Sequence, residues 1–175
     1  MRTVLTDDLA QTVACSIVGS RLDYCNAILY GTSAATLDVL QRAQNNLARV
    51  VCQRGGQTDA RPLLRSLHWL PVKHRVTYKM AALTFKMMSS SMPAYSNDLI
   101  QTAVPVRPLW SSDAPLLIAP KTLSSRVDLF QSRLRTLGTH PHTWNSLPSD
   151  VRCCGCCRTV DTFKRQLKTH LFRQS

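Results

Sequence analysis

The chain has 175 residues, enough for one domain with a hydrophobic core or for two very small ones, and its hydrophobic fraction of 44% excludes a wholly disordered chain. Its 22 Lys and Arg against 10 acidic residues give a net charge of +12, which favours a polyanion such as nucleic acid as its partner. Every acidic residue is Asp, so a catalytic pair of carboxylates would have to be built without Glu.

The first predicted element covers residues 7–30, where apolar residues recur at the spacing of one helix or a pair of helices. Thr6 or Asp7 is placed to cap its start, and Gly31 is placed to end it. Because Asp7 and Asp8 open a helix, where carboxylates favour the helix dipole, we interpret this pair as capping residues and not as a magnesium site.

Residues 33–53 show the clearest helical pattern in the chain. Leucines and Val51 recur on one face with Gln44 among them, and Ser33 or Thr36 is placed to cap the start. We expect the glycines of "RGG" that follow to stop the helix.

The stretch "SLHWLPVKHRVTYKM" introduces the next helix. We expect Pro71 to open it, since the first helical residue needs no backbone N–H, and we expect it to run to about Met88 with a basic flank. Residues 57–71 before it are predicted to be a connection with a short apolar turn. His68 and His74 fall on different elements and have no Asp within the twenty residues that follow, so they predict neither a metal site nor a hydrolytic site.

The second half of the chain changes in character. Residues 89–125 are rich in Pro and Ser, which predicts extended segments and turns with a short strand near 115–119. The segment "HPHTWNSLP" is predicted to be a turn with two solvated histidines. A final helix, capped by Thr159 or Asp161, is predicted to point its apolar stripe inward and its basic residues outward.

Together these elements predict a mainly α fold. It consists of a small helical bundle with a Pro/Ser-rich irregular middle section and a C-terminal basic amphipathic helix. The predicted domain ranges are a helical region over residues 1–90, an irregular connection over 91–158 and the last helix over 159–175.

The cysteines and the hydropathy of the sequence indicate the cellular compartment of the chain. Four of the seven Cys lie within residues 153–157, and the chain shows neither a secretory signal nor an apolar run that could span a bilayer. We therefore expect free thiols in a reducing compartment, the nucleus or the cytoplasm, and no membrane partner. Glycine-rich phosphate loops are missing from the sequence, so no nucleotide cofactor and no small-molecule substrate are expected.

The cysteine cluster leaves one alternative open. Cys154, Cys157 and His170 have the spacing of three ligands of a ββα zinc finger, but the sequence provides no fourth ligand. Because a closed structural zinc site needs four ligands, no metal is predicted. A small zinc-dependent nucleic-acid-binding module remains the alternative to the interpretation that follows.

Six motifs, in this order, resemble the C-terminal part of the reverse transcriptase polyprotein of LINE-type (non-LTR) retrotransposons, and the resemblance covers nearly the whole chain. The motifs are "SRLDYCNAILYG" (20–31), "LQRAQNNLARVV" (40–51), "LLRSLHWLPVKHRVTYKM" (63–80), "RPLWSSDAPLLIAPKT" (107–122), "WNSLPSDVR" (144–152) and "TFKRQLKTHLF" (162–172).

The resemblance implies the thumb-proximal helices and the tail that follow the polymerase palm. It brings no catalytic residue, because the catalytic Asp pair and the endonuclease of that family lie upstream of this region, so no enzyme activity is expected of the chain alone. It implies contacts to RNA or DNA, and to the upstream palm of the same element. An inert, decayed copy of such an element is a further alternative. The nucleic-acid contacts would be made by basic positions inside the motifs: Arg42, Arg49, Lys73, Arg75, Lys79, Lys164, Arg165 and Lys168.

Overall fold

The structure is a computed structural model that describes residues 6–24, 26–90, 116–118, 141–152 and 159–174. Over these residues the chain is mainly helical and forms no strand, which confirms the predicted fold class. The C-terminal basic amphipathic helix is present, whereas most of the predicted irregular section lies outside the described residues.

Among the residues that the structure describes, three helices are long and the others are short. In chain order they are α1 (Asp7–Ala14), α2 (Ser20–Asp23), α3 (Ala34–Val51), α4 (Ala60–Ser66), α5 (Val72–Ser90), α6 (Pro141–Asn145), α7 (Ser149–Arg152) and α8 (Val160–Gln174). A π turn, Cys15–Gly19, joins α1 to α2, and a 3-10 turn, Asn26–Leu29, follows α2.

The chain divides into two compact units. The first comprises Met1–Val76 with Leu171–Ser175, and the second comprises Thr77–His170. The last residues of α8 therefore belong to the first unit, and all of α5 beyond Val76 belongs to the second.

The core of the first unit forms where α1, α3 and α4 pack together. Ala14, Ala48, Val51, Leu64 and Trp69 are buried there in one cluster, and three further leucines pack against it: Leu47, Leu63 and Leu67. The apolar face predicted for residues 33–53 is thus directed into this core.

Helix α3 begins at a side-chain cap and ends at a left-handed turn. Ser33 caps the start as predicted, since its hydroxyl accepts a hydrogen bond from the Thr36 N–H. The end differs from the prediction, because α3 stops before the glycines. Gln53 adopts the left-handed conformation with φ of 52°, and the Arg54 N–H donates to the Arg49 carbonyl at 2.9 Å, which closes the last turn.

Residues 60–66 form a helix, α4, where the sequence predicted a connection with a turn. The Asp59 carboxylate accepts a hydrogen bond from the Arg61 N–H at 3.1 Å and caps its start. His68, at φ of 55°, ends it, and the Trp69 N–H donates to the Leu64 carbonyl at 2.8 Å. This turn directs Trp69 into the core and leaves His68 exposed.

Helix α5 begins at Val72, one residue after the predicted start at Pro71. Its start is held by two glutamines of α3. The Val72 N–H donates to Gln41 Oε1 at 2.8 Å, and Gln44 Nε2 donates to the Leu70 carbonyl at 2.9 Å. The polar Gln44 is buried on the apolar face of α3 because it serves this junction.

The second unit packs the apolar stripe of α8 against α5 and α6. The ring of Phe163 stacks on that of Phe85 with centroids 4.1 Å apart and an interplanar angle of 7°, and the ring of Trp144 lies 5.9 Å from Phe163. Trp144, Phe163 and Leu167 are fully buried. Thr159 caps α8, since its hydroxyl accepts from the Thr162 N–H at 3.3 Å, which confirms one of the two predicted caps.

The segment predicted as a turn, "HPHTWNSLP", is helical only in part: Pro141–Asn145 form a short helix, and the chain then turns at Ser146 and Leu147 before the short helix Ser149–Arg152. Of the strand predicted near 115–119 the structure describes residues 116–118, where Leu117 forms an isolated β-bridge and no longer strand. The backbone of Leu117 is also held by the Asn145 side chain. Its N–H donates to Asn145 Oδ1 at 2.9 Å, and its carbonyl accepts from Asn145 Nδ2 at 2.8 Å.

Candidate nucleic-acid interface

The exposed face of α8 is basic because its apolar residues Phe163 and Leu167 are buried inside the second unit. Arg165 and Lys168 are exposed, and the side chain of Lys164 is 45% exposed. Positions three and four apart on a helix are neighbours, with Cβ atoms about 5–6 Å apart. The structure therefore brings three of the predicted site residues together on one helical surface.

One acidic residue accompanies this surface. Lys164 Nζ lies 3.7 Å from Asp161 Oδ1, and the Asp161 side chain is 88% exposed. A solvent-exposed pair at this spacing is typically worth no more than about 0.5 kcal/mol. Lys164 can therefore exchange this partner for a phosphate at little cost.

Lys79 is the remaining predicted site residue of the second unit, and it is exposed on α5. The adjacent Tyr78 is half-buried. Burial, and to a lesser extent the Asp161 carboxylate, raises the pKa of Tyr78 above its ordinary value. Tyr78 therefore keeps its proton at neutral pH and adds no negative charge next to Lys79.

Arg42 and Lys73 are the exposed members of the predicted set in the first unit. Arg42 Nε donates to the Asp38 carbonyl one turn earlier at 3.4 Å, which is a long hydrogen bond. Both side chains present their charge at the surface of that unit.

Arg49 and Arg75 instead hold the first unit together. Arg49 Nε donates to the Thr58 carbonyl at 2.8 Å and fixes the loop after α3, so this side chain is half-buried and engaged within the first unit. Arg75 Nη1 lies 2.9 Å and 3.0 Å from the two carboxylate oxygens of Asp23, and its side chain is 16% exposed.

His74 lies beside Arg75 and is partly buried. Burial, and secondarily the charge of Lys73, lowers the pKa of His74 below its ordinary value. The imidazole is therefore neutral at physiological pH and adds no charge to this part of the surface.

Sequence reasoning missed one exposed basic pair. Arg61 and Arg65 lie four residues apart on α4, and both are exposed. The feature of the sequence that could have predicted the helix carrying this pair is Asp59, because Asp is a preferred N-cap residue and stands directly before the helix.

The sequence predicts no metal site, and the alternative of a zinc-dependent module built on Cys154, Cys157 and His170 stays open. Within the described residues no group of three or more His, Cys and Asp side chains could hold a metal ion. His170 is half-buried on α8, while Cys154 and Cys157 lie outside the described residues. None of the described helices is both long and apolar enough to cross a membrane.

No family model, no curated protein and no solved structure matches the chain. The functional interpretation therefore rests on the residues and geometry described above.

Proposed function

We propose that this chain is a non-catalytic C-terminal region of a LINE-type reverse transcriptase that binds RNA or DNA without strong sequence preference. The six ordered motifs and the net charge of +12 support this proposal. The observation that carries it is the exposed basic face of α8, where Lys164, Arg165 and Lys168 adjoin on a helix anchored by Phe163.

Such a face binds through the phosphate backbone. Lys and Arg side chains neutralise phosphates and release their condensed counterions, so affinity falls as the salt concentration rises. Contacts to phosphate position a protein on nucleic acid but read no base sequence. The proposed binding is therefore sequence-tolerant, and it takes place in the nucleus or cytoplasm together with the upstream palm of the same element.

The predicted residues contribute unequally in this proposal. Lys164, Arg165 and Lys168 contribute most, and the exposed Arg42, Lys73 and Lys79 contribute further contacts. Arg49 and Arg75 already donate to groups of the protein, as described above. Their substitution lowers stability more than it lowers affinity.

The experiment titrates a labelled structured RNA with the full chain and with two triple variants, each of which removes three positive charges. One carries Lys164→Gln, Arg165→Gln and Lys168→Gln. The matched control removes three exposed cations from separate elements: Arg21→Gln, Arg54→Gln and Lys86→Gln.

We expect the α8 variant to bind at least tenfold more weakly than the control at 0.1 M salt, because its three cations lie on one surface. Equal affinities of the two variants, or an affinity that does not fall with salt, contradict the binding proposal. Polymerase activity of the isolated chain contradicts the non-catalytic part of it.

A further inference from the structure

The turn after α4 separates two neighbouring aromatic side chains. Trp69 is 6% exposed in the core of the first unit, whereas His68 is exposed. His68 has a φ of 55°, a left-handed conformation that His, Asn and Asp adopt more readily than most other residues with a side chain. Its N–H donates to the Arg65 carbonyl at 3.1 Å, so the backbone that carries the imidazole is held in place.

The imidazole of His68 also contacts an aromatic ring. The ring centroid of Phe172 lies 6.3 Å from that of His68 at an interplanar angle of 84°, and both residues belong to the first unit. Aromatic pairs favour this edge-to-face arrangement. Phe172 therefore restrains the orientation of the imidazole, and His68 still remains exposed to solvent.

Phe172 lies on the basic face of α8 and not on its buried face. Successive residues of an α-helix are about 100° apart, so Phe172 is about 20° around the axis from Arg165 and about 40° from Lys168. It is about 100° from Leu171, which is buried. An aromatic side chain thus shares the face of α8 that carries its exposed positive charges.

Exposed arginines accompany both members of this aromatic pair. Arg65 precedes His68 by three residues, Arg173 directly follows Phe172, and both arginines are exposed. Residues 60–75 and 162–175 contain no Asp, so no acidic side chain of either segment competes with a phosphate. Proteins bind unpaired nucleotides by stacking bases on aromatic side chains, His among them, next to cations that bind the backbone. The surface around His68 has both components.

We propose that His68 stacks on an unpaired base of RNA, with Arg65 and Arg173 bound to the adjoining phosphates. This inference rests on the proposed function and specifies its substrate, namely unpaired nucleotides in preference to duplex. The bases inside a duplex are stacked on each other, so they offer no free face to the imidazole. Phosphate contacts alone favour the duplex instead, because its charge density is higher. A preference for unpaired RNA therefore distinguishes stacking from charge attraction.

The test measures the affinity of the full chain at 0.1 M salt for a labelled RNA of about 20 nucleotides without internal pairing, and for the same strand annealed to its complement. We expect the wild-type chain to bind the unpaired strand more tightly. His68→Asn removes the ring and keeps a residue that accepts the left-handed conformation. It should lower the affinity for unpaired RNA at least about fivefold and change the affinity for duplex less than about twofold. His68→Tyr restores a ring without a positive charge, so its affinity for unpaired RNA should lie within about twofold of wild type.

His142→Asn is the matched control, because His142 is an exposed histidine on α6, and it should change neither affinity by more than about twofold. The stacking proposal is overturned by a wild-type chain that prefers duplex, by losses in His68→Asn that are absent or equal for the two RNAs, by a His68→Tyr chain that binds no better than His68→Asn, or by a control that acts like His68→Asn. In each of these cases salt-sensitive binding through α8 is left intact. A chain that binds neither RNA contradicts both proposals.

Discussion

Replacing Gln44 by Met tests how the start of α5 is held. Gln44 is 1% exposed, its Nε2 donates to the Leu70 carbonyl at 2.9 Å, and its Oε1 accepts from Gln41 Nε2 at 3.1 Å. Met has a similar length but cannot make either hydrogen bond. Gln44→Met should therefore lower the free energy of unfolding even though it adds an apolar side chain to a buried face.

The size of the expected loss in unfolding free energy depends on the hydrogen-bond partners that remain after Gln44→Met. The Leu70 carbonyl still accepts from Arg75 Nε at 2.9 Å, and the Gln41 amide still donates to Asn45 Oδ1 at 2.8 Å, so neither group is left without a partner. We expect a loss of about 1–2 kcal/mol, the range for buried hydrogen bonds, and not the larger cost of an unsatisfied group.

Urea denaturation followed by circular dichroism measures this loss. Gln57→Met is the control, because Gln57 is exposed in the loop after α3 and should change stability by no more than about 0.5 kcal/mol. Combining Gln44→Met with Arg75→Met removes both donors to Leu70, so the combined loss should exceed the sum of the single losses. Gln44→Met with wild-type stability, or strict additivity, would refute this account of the junction.

Three further predictions concern other parts of the structure. Phe163→Ala should cost about 3–5 kcal/mol in urea unfolding and Phe163→Leu clearly less, because Ala leaves a larger cavity against Phe85; equal losses would contradict the packing. Asn145→Ala should cost about 1–3 kcal/mol in the same assay, because it removes two hydrogen bonds to Leu117. An unchanged urea midpoint would show that these bonds do not stabilise the fold. Because burial, and then Lys73, lowers the pKa of His74, the unfolded chain binds its proton more readily, and stability should rise with pH up to about the ordinary histidine pKa of 6.5; His74→Gln should flatten that rise, and an identical pH profile would contradict the assignment.

The long periodic helices could be predicted from the sequence because their signal is local. The apolar stripe of α8 and the Ser33 cap of α3 each depend on residues within a few turns of one another. α4 was missed because its seven residues are too few for a clear period, although Asp59 marked its start. The sequence around α6 predicts a turn because Pro141 and Asn145 flank Trp144.

Contacts between distant residues could not be predicted. Gln41 and Val72 are separated by 31 positions and Asn145 and Leu117 by 28, and no local pattern shows that these side chains meet backbone groups. For the candidate interface, the outward position of Lys168 follows from helical spacing. The pairing of Arg75 with Asp23, 52 positions away, does not, so the sequence could not show that Arg75 is engaged within the protein.

The most direct test of the central claim is the salt slope of RNA binding for the α8 triple variant and its matched control. If Lys164, Arg165 and Lys168 each displace a counterion, removing them should reduce the slope of log affinity against log salt by about 2–3. The Arg21, Arg54 and Lys86 control should keep the wild-type slope. An α8 variant with the wild-type slope would contradict the claim that this helix face binds phosphate.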